Sequence, residues 1–139
     1  MGLEDKMEKY VNVPFRVRYA ETDQMGVAYY ANYLVWFEAS RAGYCRARNY
    51  PYTRLELEDG IYLPVVEAHC RYLKGLRYDQ EFYVRTSLKN FRRRSCVFEY
   101  RIHDSQSDLL CAEGWTKHLF IDRDGKVKSF PKSAEGHFI

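Results

Sequence analysis

From Val11 to Tyr19 apolar and polar residues alternate. Val13, Phe15 and Val17 fall on one side and Arg16 and Arg18 on the other, which predicts a strand. Ala20 to Gly26 carries turn chemistry in Thr22, Asp23 and Gly26. From about Tyr30 to Asn49 the period becomes helical, with no Pro and with Gly43 as the one internal Gly. Trp36, Ser40, Gly43 and Ala47 share one face of that helix, and Glu38, Arg41 and Arg48 share the opposite one. The stretch Tyr33-Leu34-Val35-Trp36-Phe37 is apolar all round, which predicts a helix buried on every side. Four strand-like runs follow: Ile61 to Leu73, Glu81 to Phe91, Ser95 to His103 and Leu109 to Ile121. In the second, Phe82, Val84, Thr86 and Leu88 alternate with Tyr83, Arg85, Ser87 and Lys89. In the third, Cys96, Phe98, Tyr100 and Ile102 alternate with Val97, Glu99 and Arg101. Asp124-Gly125 is a hairpin signal leading into Lys126-Val127-Lys128, and Pro131 can open a short terminal helix as its first residue.

One long helix early and a run of antiparallel strands afterwards is an α+β layout. One curved antiparallel sheet wrapped around a long central helix would bury that helix on several sides. The length of 139 residues suits one domain, here 11–139 behind a polar, flexible leader at 1–10. One helix and one sheet leave strand edges and aromatic surface uncovered, so pairing with further copies is expected, as a homodimer or homotetramer. The 13 Tyr, 8 Phe and 2 Trp strengthen that expectation, because aromatics concentrate where surfaces meet each other or a ligand.

A net charge of +3 is too weak to indicate nucleic acid. No run is long enough to span a membrane, and the charged first ten residues lack a signal-peptide core, so a cytoplasmic location is expected. Cys45, Cys70, Cys96 and Cys111 lack zinc spacing and are expected as reduced, mostly buried thiols; no metal site is expected.

The chemistry concentrates between Arg16 and Arg41. Asp23 sits in a turn seven residues ahead of a helix start near Tyr30. A helix start offers free backbone N–H groups and a positive dipole end, which can hold a carbonyl oxygen as it becomes an oxyanion. A nearby carboxylate can attack that carbonyl or activate a water. The same residues also suit a plain Asx-turn at Asp23 with a positive φ at Gly26. Arg92-Arg93-Arg94 lies between two strands. It is either a solvated turn that charges a sheet edge or a clamp for phosphates, with Lys74, Arg77 and Lys89 as weaker candidates. His69, His103 and His118 read as ordinary strand residues, Glu67 as a paired sheet residue and Cys45 as core.

The ordered run Arg16-Val17, Thr22-Asp23, Gly26-Val27, Tyr30 and Tyr33 resembles the active-site signature of 4-hydroxybenzoyl-CoA thioesterases. It is similar also to that of YbgC-type acyl-CoA thioesterases, and both families belong to the hotdog-fold superfamily. The resemblance extends through Glu38, Arg41 and Leu63-Pro64-Val65-Val66 into the later strands. It implies a hotdog fold and hydrolysis of acyl-CoA thioesters, with CoA as part of the substrate and no separate cofactor. It implies Asp23 as the catalytic carboxylate, as nucleophile or general base, and the Tyr30 backbone N–H as the group polarising the carbonyl. Tyr19 fits a recurrent family Tyr, and as a strand residue it suits pocket lining with substrate contact or core packing; Arg92, Arg93 and Arg94 match a basic site for the CoA nucleotide. Many YbgC-type members have His where Tyr30 stands, so this chain looks more like the hydroxybenzoyl branch. Hotdog hydratases resemble a different pattern, with His five residues after the Asp; Ala28 stands there instead. An acyl-carrier-protein thioesterase and a non-catalytic acyl-CoA-binding module are the remaining alternatives.

Overall fold

The computed structural model describes residues 10–139. The leader expected at 1–10 lies outside them except for Tyr10, which opens the first strand. In chain order the elements are β1 (Tyr10–Arg16), a 3-10 turn (Tyr19–Glu21) and α1 (Asn32–Ala47). Next comes α2 (Tyr52–Arg54), which runs on as a π turn (Leu55–Asp59), then β2 (Val65–Tyr72) and β3 (Glu81–Lys89). The chain closes with β4 (Ser95–Asp104), β5 (Leu110–Leu119) and α3 (Lys132–Glu135). The strands form one sheet in the order β1-β3-β4-β5-β2, with every pairing antiparallel. The alternation expected for β3 and β4 holds: Phe82, Val84 and Thr86, and Cys96, Phe98, Tyr100 and Ile102, all point into the core. The first strand is shorter than its pattern suggests. After Arg16 the backbone of Val17 bonds to Gln80 and Asp79, and the chain coils at Tyr19. Asp124-Gly125 turns as expected, with Gly125 at φ +83° and Ile121 bridged to Val127. Pro131 caps α3 from just outside instead of being its first residue.

The helix α1 lies across the inner face of the sheet, joined by aromatic contacts. Phe37 stacks on Tyr100 at 4.1 Å, Trp36 tilts on Phe82 at 4.6 Å and Tyr44 meets Phe98 edge-on at 5.6 Å. Ring pairs of this kind add to the area they bury. The sheet of one chain covers only one side of the helix, however. Leu34 and Val35 remain 41% and 54% exposed, so the all-round burial expected of Tyr33 to Phe37 is not reached within one chain. The expected facing is corrected at two further places: Arg41 is buried, while Ala47 is exposed.

Arg41 goes inside because the core supplies acceptors for it. Its Nε donates to the Tyr52 hydroxyl (3.1 Å) and its Nη1 to the Tyr100 hydroxyl (3.0 Å). The Tyr100 hydroxyl lies 2.6 Å from Thr116 Oγ1, which lies 2.7 Å from His118 Nε2, and His118 Nδ1 lies 3.0 Å from the Leu63 carbonyl. A carbonyl only accepts, so Nδ1 carries the proton and Nε2 accepts from Thr116. Thr116 then accepts from Tyr100, and all the bonds run in one sense away from Arg41. Burial, followed by the charge of Arg41, holds the His118 imidazolium pKa down at about 4, so the ring is neutral near pH 7.

Glu21 fastens the turn region to this helix. Only 6% exposed, its carboxylate accepts from the Arg18 backbone N–H (2.7 Å), the Arg18 guanidinium (3.2 Å) and Trp36 Nε1 (2.9 Å). Its own carbonyl accepts from Tyr29 N and from Asn32 Nδ2, both at 2.8 Å. Burial alone would raise the carboxyl pKa, but the bonds from Arg18 and Trp36 outweigh it and the net shift is downward.

Two outcomes are expected. An alanine Cβ at Gly114 would lie 2.2 Å from the His69 carbonyl oxygen and 2.8 Å from the Phe37 ring, between two paired strands and the helix. Gly114→Ala should therefore cost about 1–3 kcal/mol and lower the melting temperature by several degrees; unchanged melting would refute this packing. Glu21→Gln should cost about 1–3 kcal/mol at pH 7, since it removes a charged acceptor from buried donors. A depressed carboxyl pKa contributes stability above the unfolded-state value, and that contribution is lost as pH falls through the folded value. The gap between wild type and variant should thus close in acid, below about pH 4. Identical thermal melts at pH 7 would show that the carboxylate does not hold the turn.

Candidate functional site

The loop carrying Asp23 is closed like a small hairpin. Thr22 bridges Ala28, Asp23 N donates to the Val27 carbonyl (2.9 Å) and Gly26 N donates to the Asp23 carbonyl (3.0 Å). Gly26 sits at φ +81°, a conformation other residues rarely adopt. The loop is pinned to the β2–β3 connection through Ala28 N to the Leu76 carbonyl (2.7 Å) and Arg77 Nη1 to the Gly26 carbonyl (3.3 Å). Asp23 is half-buried, and its Oδ1 accepts from Met25 N at 2.9 Å, which is the Asx-turn. Among the described residues no donor takes its Oδ2. The turn and the chemistry are therefore compatible: one oxygen fixes the loop and the other stays available.

Helix α1 begins at Asn32 with Ala31 as its N-cap, so Tyr30 lies in the turn just before the helix and not in its first turn. Asn32 N donates to the Tyr29 carbonyl (2.9 Å) and Tyr33 N to the Tyr30 carbonyl (3.3 Å). Among the described residues the backbone N–H groups of Tyr30 and Ala31 have no acceptor. The free donors expected at a helix start are present, displaced one to two residues ahead of it. The Tyr29 phenol pKa is raised, first by its hydrogen bond with the Tyr30 phenol and in small part by the charge of Asp23. Tyr30 is 61% exposed.

Tyr19 opens the 3-10 turn instead of continuing β1. It is largely exposed and packs edge-on against Tyr78 at 5.5 Å, so its core-packing role is excluded and a surface role is left. Arg92, Arg93 and Arg94 occupy the β3–β4 hairpin tip as expected, all exposed, with Arg93 Nε donating to Ser129 Oγ (3.0 Å). One chain does not bring them to Asp23. The Asp23 loop is tied to the Glu81 end of β3, and the arginines lie beyond its Lys89 end, roughly 30 Å away at the rise of a strand. Of the weaker candidates, Arg77 is beside the Asp23 loop, whereas Lys89 belongs to the hairpin end.

Among the remaining candidates, Glu67 pairs with Lys117 (3.8 Å) and His69 stacks on Trp115. His103 Nδ1 meets the Asp108 carbonyl at 2.9 Å. The Cys45 thiol is buried and pushed up to about 12 by desolvation, which suits core and not attack. The four cysteines are free, with Cys45, Cys96 and Cys111 buried and Cys70 half-buried. Among the described residues no group of three or more His, Cys, Asp or Glu is placed to hold a metal ion, and no helix is long and apolar enough to cross a membrane. Two residues that hold this region carry no site reading in the sequence: Glu21, and Tyr72, whose hydroxyl donates to the Tyr30 carbonyl (3.1 Å). Arg18-x-x-Glu21 is a reciprocal capping pattern and was the available signal for the first.

Comparison with known proteins identifies the family and the fold. The model of the thioesterase-like superfamily matches residues 17–138. The acyl-CoA thioesterase YbgC of Haemophilus influenzae is 30% identical over 127 residues, covering 90% of this chain and 91% of that protein. The crystal structure of a DHNA-CoA thioesterase from Staphylococcus aureus superimposes with a TM-score of 0.85 at 32% identity, covering 92% of this chain and 88% of the other. The 4-hydroxybenzoyl-CoA thioesterase of Pseudomonas sp. strain CBS-3 shares the fold, with a TM-score of 0.84 at 21% identity over 93% of this chain and 99% of its own. With its five-stranded antiparallel sheet laid against one long helix, this chain has the hotdog architecture and belongs to the thioesterase-like superfamily.

Proposed function

We propose that the protein hydrolyses acyl- or aroyl-CoA thioesters to the free acid and CoA. The chemistry is thioester hydrolysis, as in the relatives. The observation that carries the reading is one loop that has, among the described residues, an unshared Asp23 carboxylate oxygen at its start and two unpaired N–H groups, Tyr30 and Ala31, at its end. The carbonyl oxygen of the thioester takes the Tyr30 N–H. Asp23 then either removes a proton from a water that attacks the carbonyl carbon, or attacks that carbon itself. The charge that develops on oxygen is stabilised by the backbone donor, and the C–S bond breaks to release CoA thiolate. On the second route an acyl–Asp23 anhydride forms, and water hydrolyses it in a further step. The exposed rings of Tyr30 and Tyr72 support a flat acyl group, and a structural relative at 32% identity is named for DHNA-CoA.

Assembly completes the proposal. β2 is a sheet edge with Val65, Val66 and Tyr72 about half exposed, next to the uncovered Leu34 and Val35 of α1. A bare edge beside apolar surface fits pairing with a second copy. If β2 pairs antiparallel with its twin, the Val65 end of one copy meets the Tyr72 end of the other. Val65 lies in one row with His118 and Cys96, beside the arginine hairpin, and Tyr72 touches Tyr30. The hairpin of the second copy then comes to the same end of the joined sheet as Asp23. Arg92, Arg93 and Arg94 would there receive the phosphates of CoA held at the first copy.

The direct test is Asp23→Asn, assayed by thiol release across aroyl-, short-chain and long-chain acyl-CoAs. Turnover should fall about 10³-fold with a nearly unchanged melting temperature, at the scale of a lost base or nucleophile. Near-normal turnover of the folded variant would end the mechanism. Replacing Arg92, Arg93 and Arg94 together by Ala should raise KM for CoA esters, leave kcat largely intact and weaken the salt dependence of KM, since remote charges bind ground and transition states alike. A monomeric mass near 16.6 kDa for an active sample, measured by light scattering, would rule out the shared site.

A further inference from the structure

We infer that Tyr72 is a positioning residue for the oxyanion donors, acting through the backbone of Tyr30. The inference rests on the thioesterase reading above and deepens it.

Tyr72 is the last residue of β2, and its hydroxyl donates to the Tyr30 carbonyl at 3.1 Å. Among the described residues the other bond that carbonyl takes is the long one from Tyr33 N at 3.3 Å. The Tyr72 ring is braced edge-on against Tyr33 at 4.8 Å and 88°, and Tyr33 is 2% exposed. It also stands edge-on to the Tyr30 ring at 6.3 Å and 86°. A rigid phenol thus reaches from the sheet edge to the one residue flanked by both unpaired N–H groups.

Two consequences follow from peptide geometry. The Tyr30 carbonyl belongs to the same planar unit as the Ala31 N–H, so a donor on the oxygen polarises the peptide and strengthens that N–H as a donor. Fixing the same carbonyl also restrains the φ and ψ of Tyr30, and with them the direction of its own N–H. Residues 29–31 lie outside regular structure, so this tether is what orients them from the sheet side. Burial, then Cys70, raise the Tyr72 phenol pKa, so the hydroxyl keeps its proton and remains a donor.

The test is Tyr72→Phe, which keeps the ring and deletes the donor. It should lower kcat about tenfold, less than the loss of an oxyanion donor itself, with KM for the CoA ester unchanged. Backbone amide order parameters of Tyr30 and Ala31, measured by NMR, should fall in the free enzyme while those of β2 and α1 hold. Tyr72→Leu removes the ring as well. If the Phe variant keeps wild-type kcat and only the Leu variant loses activity, the residue is packing and the inference is overturned. Unchanged order parameters at Tyr30 and Ala31 in Tyr72→Phe overturn it as well. Asp23→Asn assayed in parallel separates the two levels. Normal turnover there refutes the site, while the amide measurement still judges the tether.

Discussion

A carboxylate that is nearly out of water must be fully bonded, and Glu21 meets that condition with donors from three directions. Its bond to the Trp36 indole couples the 3-10 turn to the helix, and its carbonyl receives Tyr29 and Asn32 from the far side of the loop. The segment between is therefore held at both ends by one residue. Trp36 is itself wedged against Phe82 of β3, so the site inherits its coordinates from the centre of the sheet. Loop residues gain precision this way without belonging to regular structure.

The second organising feature is the polar run through the core from Arg41 to Leu63. Each hydroxyl both donates and accepts, so no member is left short, which is the condition for such a network to be tolerated among the aromatic rings. It links α1 to β4, β5 and the approach to β2 by directional bonds. The Phe37–Tyr100 stack beside it adds area but fixes the sliding of the helix less strictly.

How far the sequence could be read followed how local each cause was. The period-2 pattern placed β3 and β4 with their inward faces, because a strand on a one-sided core writes its burial into every second residue. The Asp23 turn was legible through Thr22, Asp23 and Gly26, whose preferences act within four residues. Arg41 was misplaced because its burial depends on Tyr52 and Tyr100, 11 and 59 positions away, and no helical period reports that. Leu34 and Val35 were expected inside on grounds of hydrophobicity, but one sheet can cover only one side of a helix. The helical period extends back to Tyr30 and so draws that residue into the helix. The true boundary is set by the bond from Asn32 to the Glu21 carbonyl, a contact 11 residues apart. Tyr72 carried no signal at all, since nothing in an edge strand announces that a phenol will reach a distant carbonyl.

The edge formed by β2 has a cost during synthesis. Among the described residues its outer backbone groups meet no other strand, and flanked by Val65, Val66 and Cys70 such an edge is a template for aggregation in a newly made chain. Glu67 and Arg71 place opposite charges on the strand four residues apart, two on either side of His69. An antiparallel twin centred on His69 sets each of these charges against its opposite, whereas parallel in-register stacking sets like against like. The strand thereby carries its own gatekeeping: between two such edges the antiparallel alignment is favoured over the parallel one.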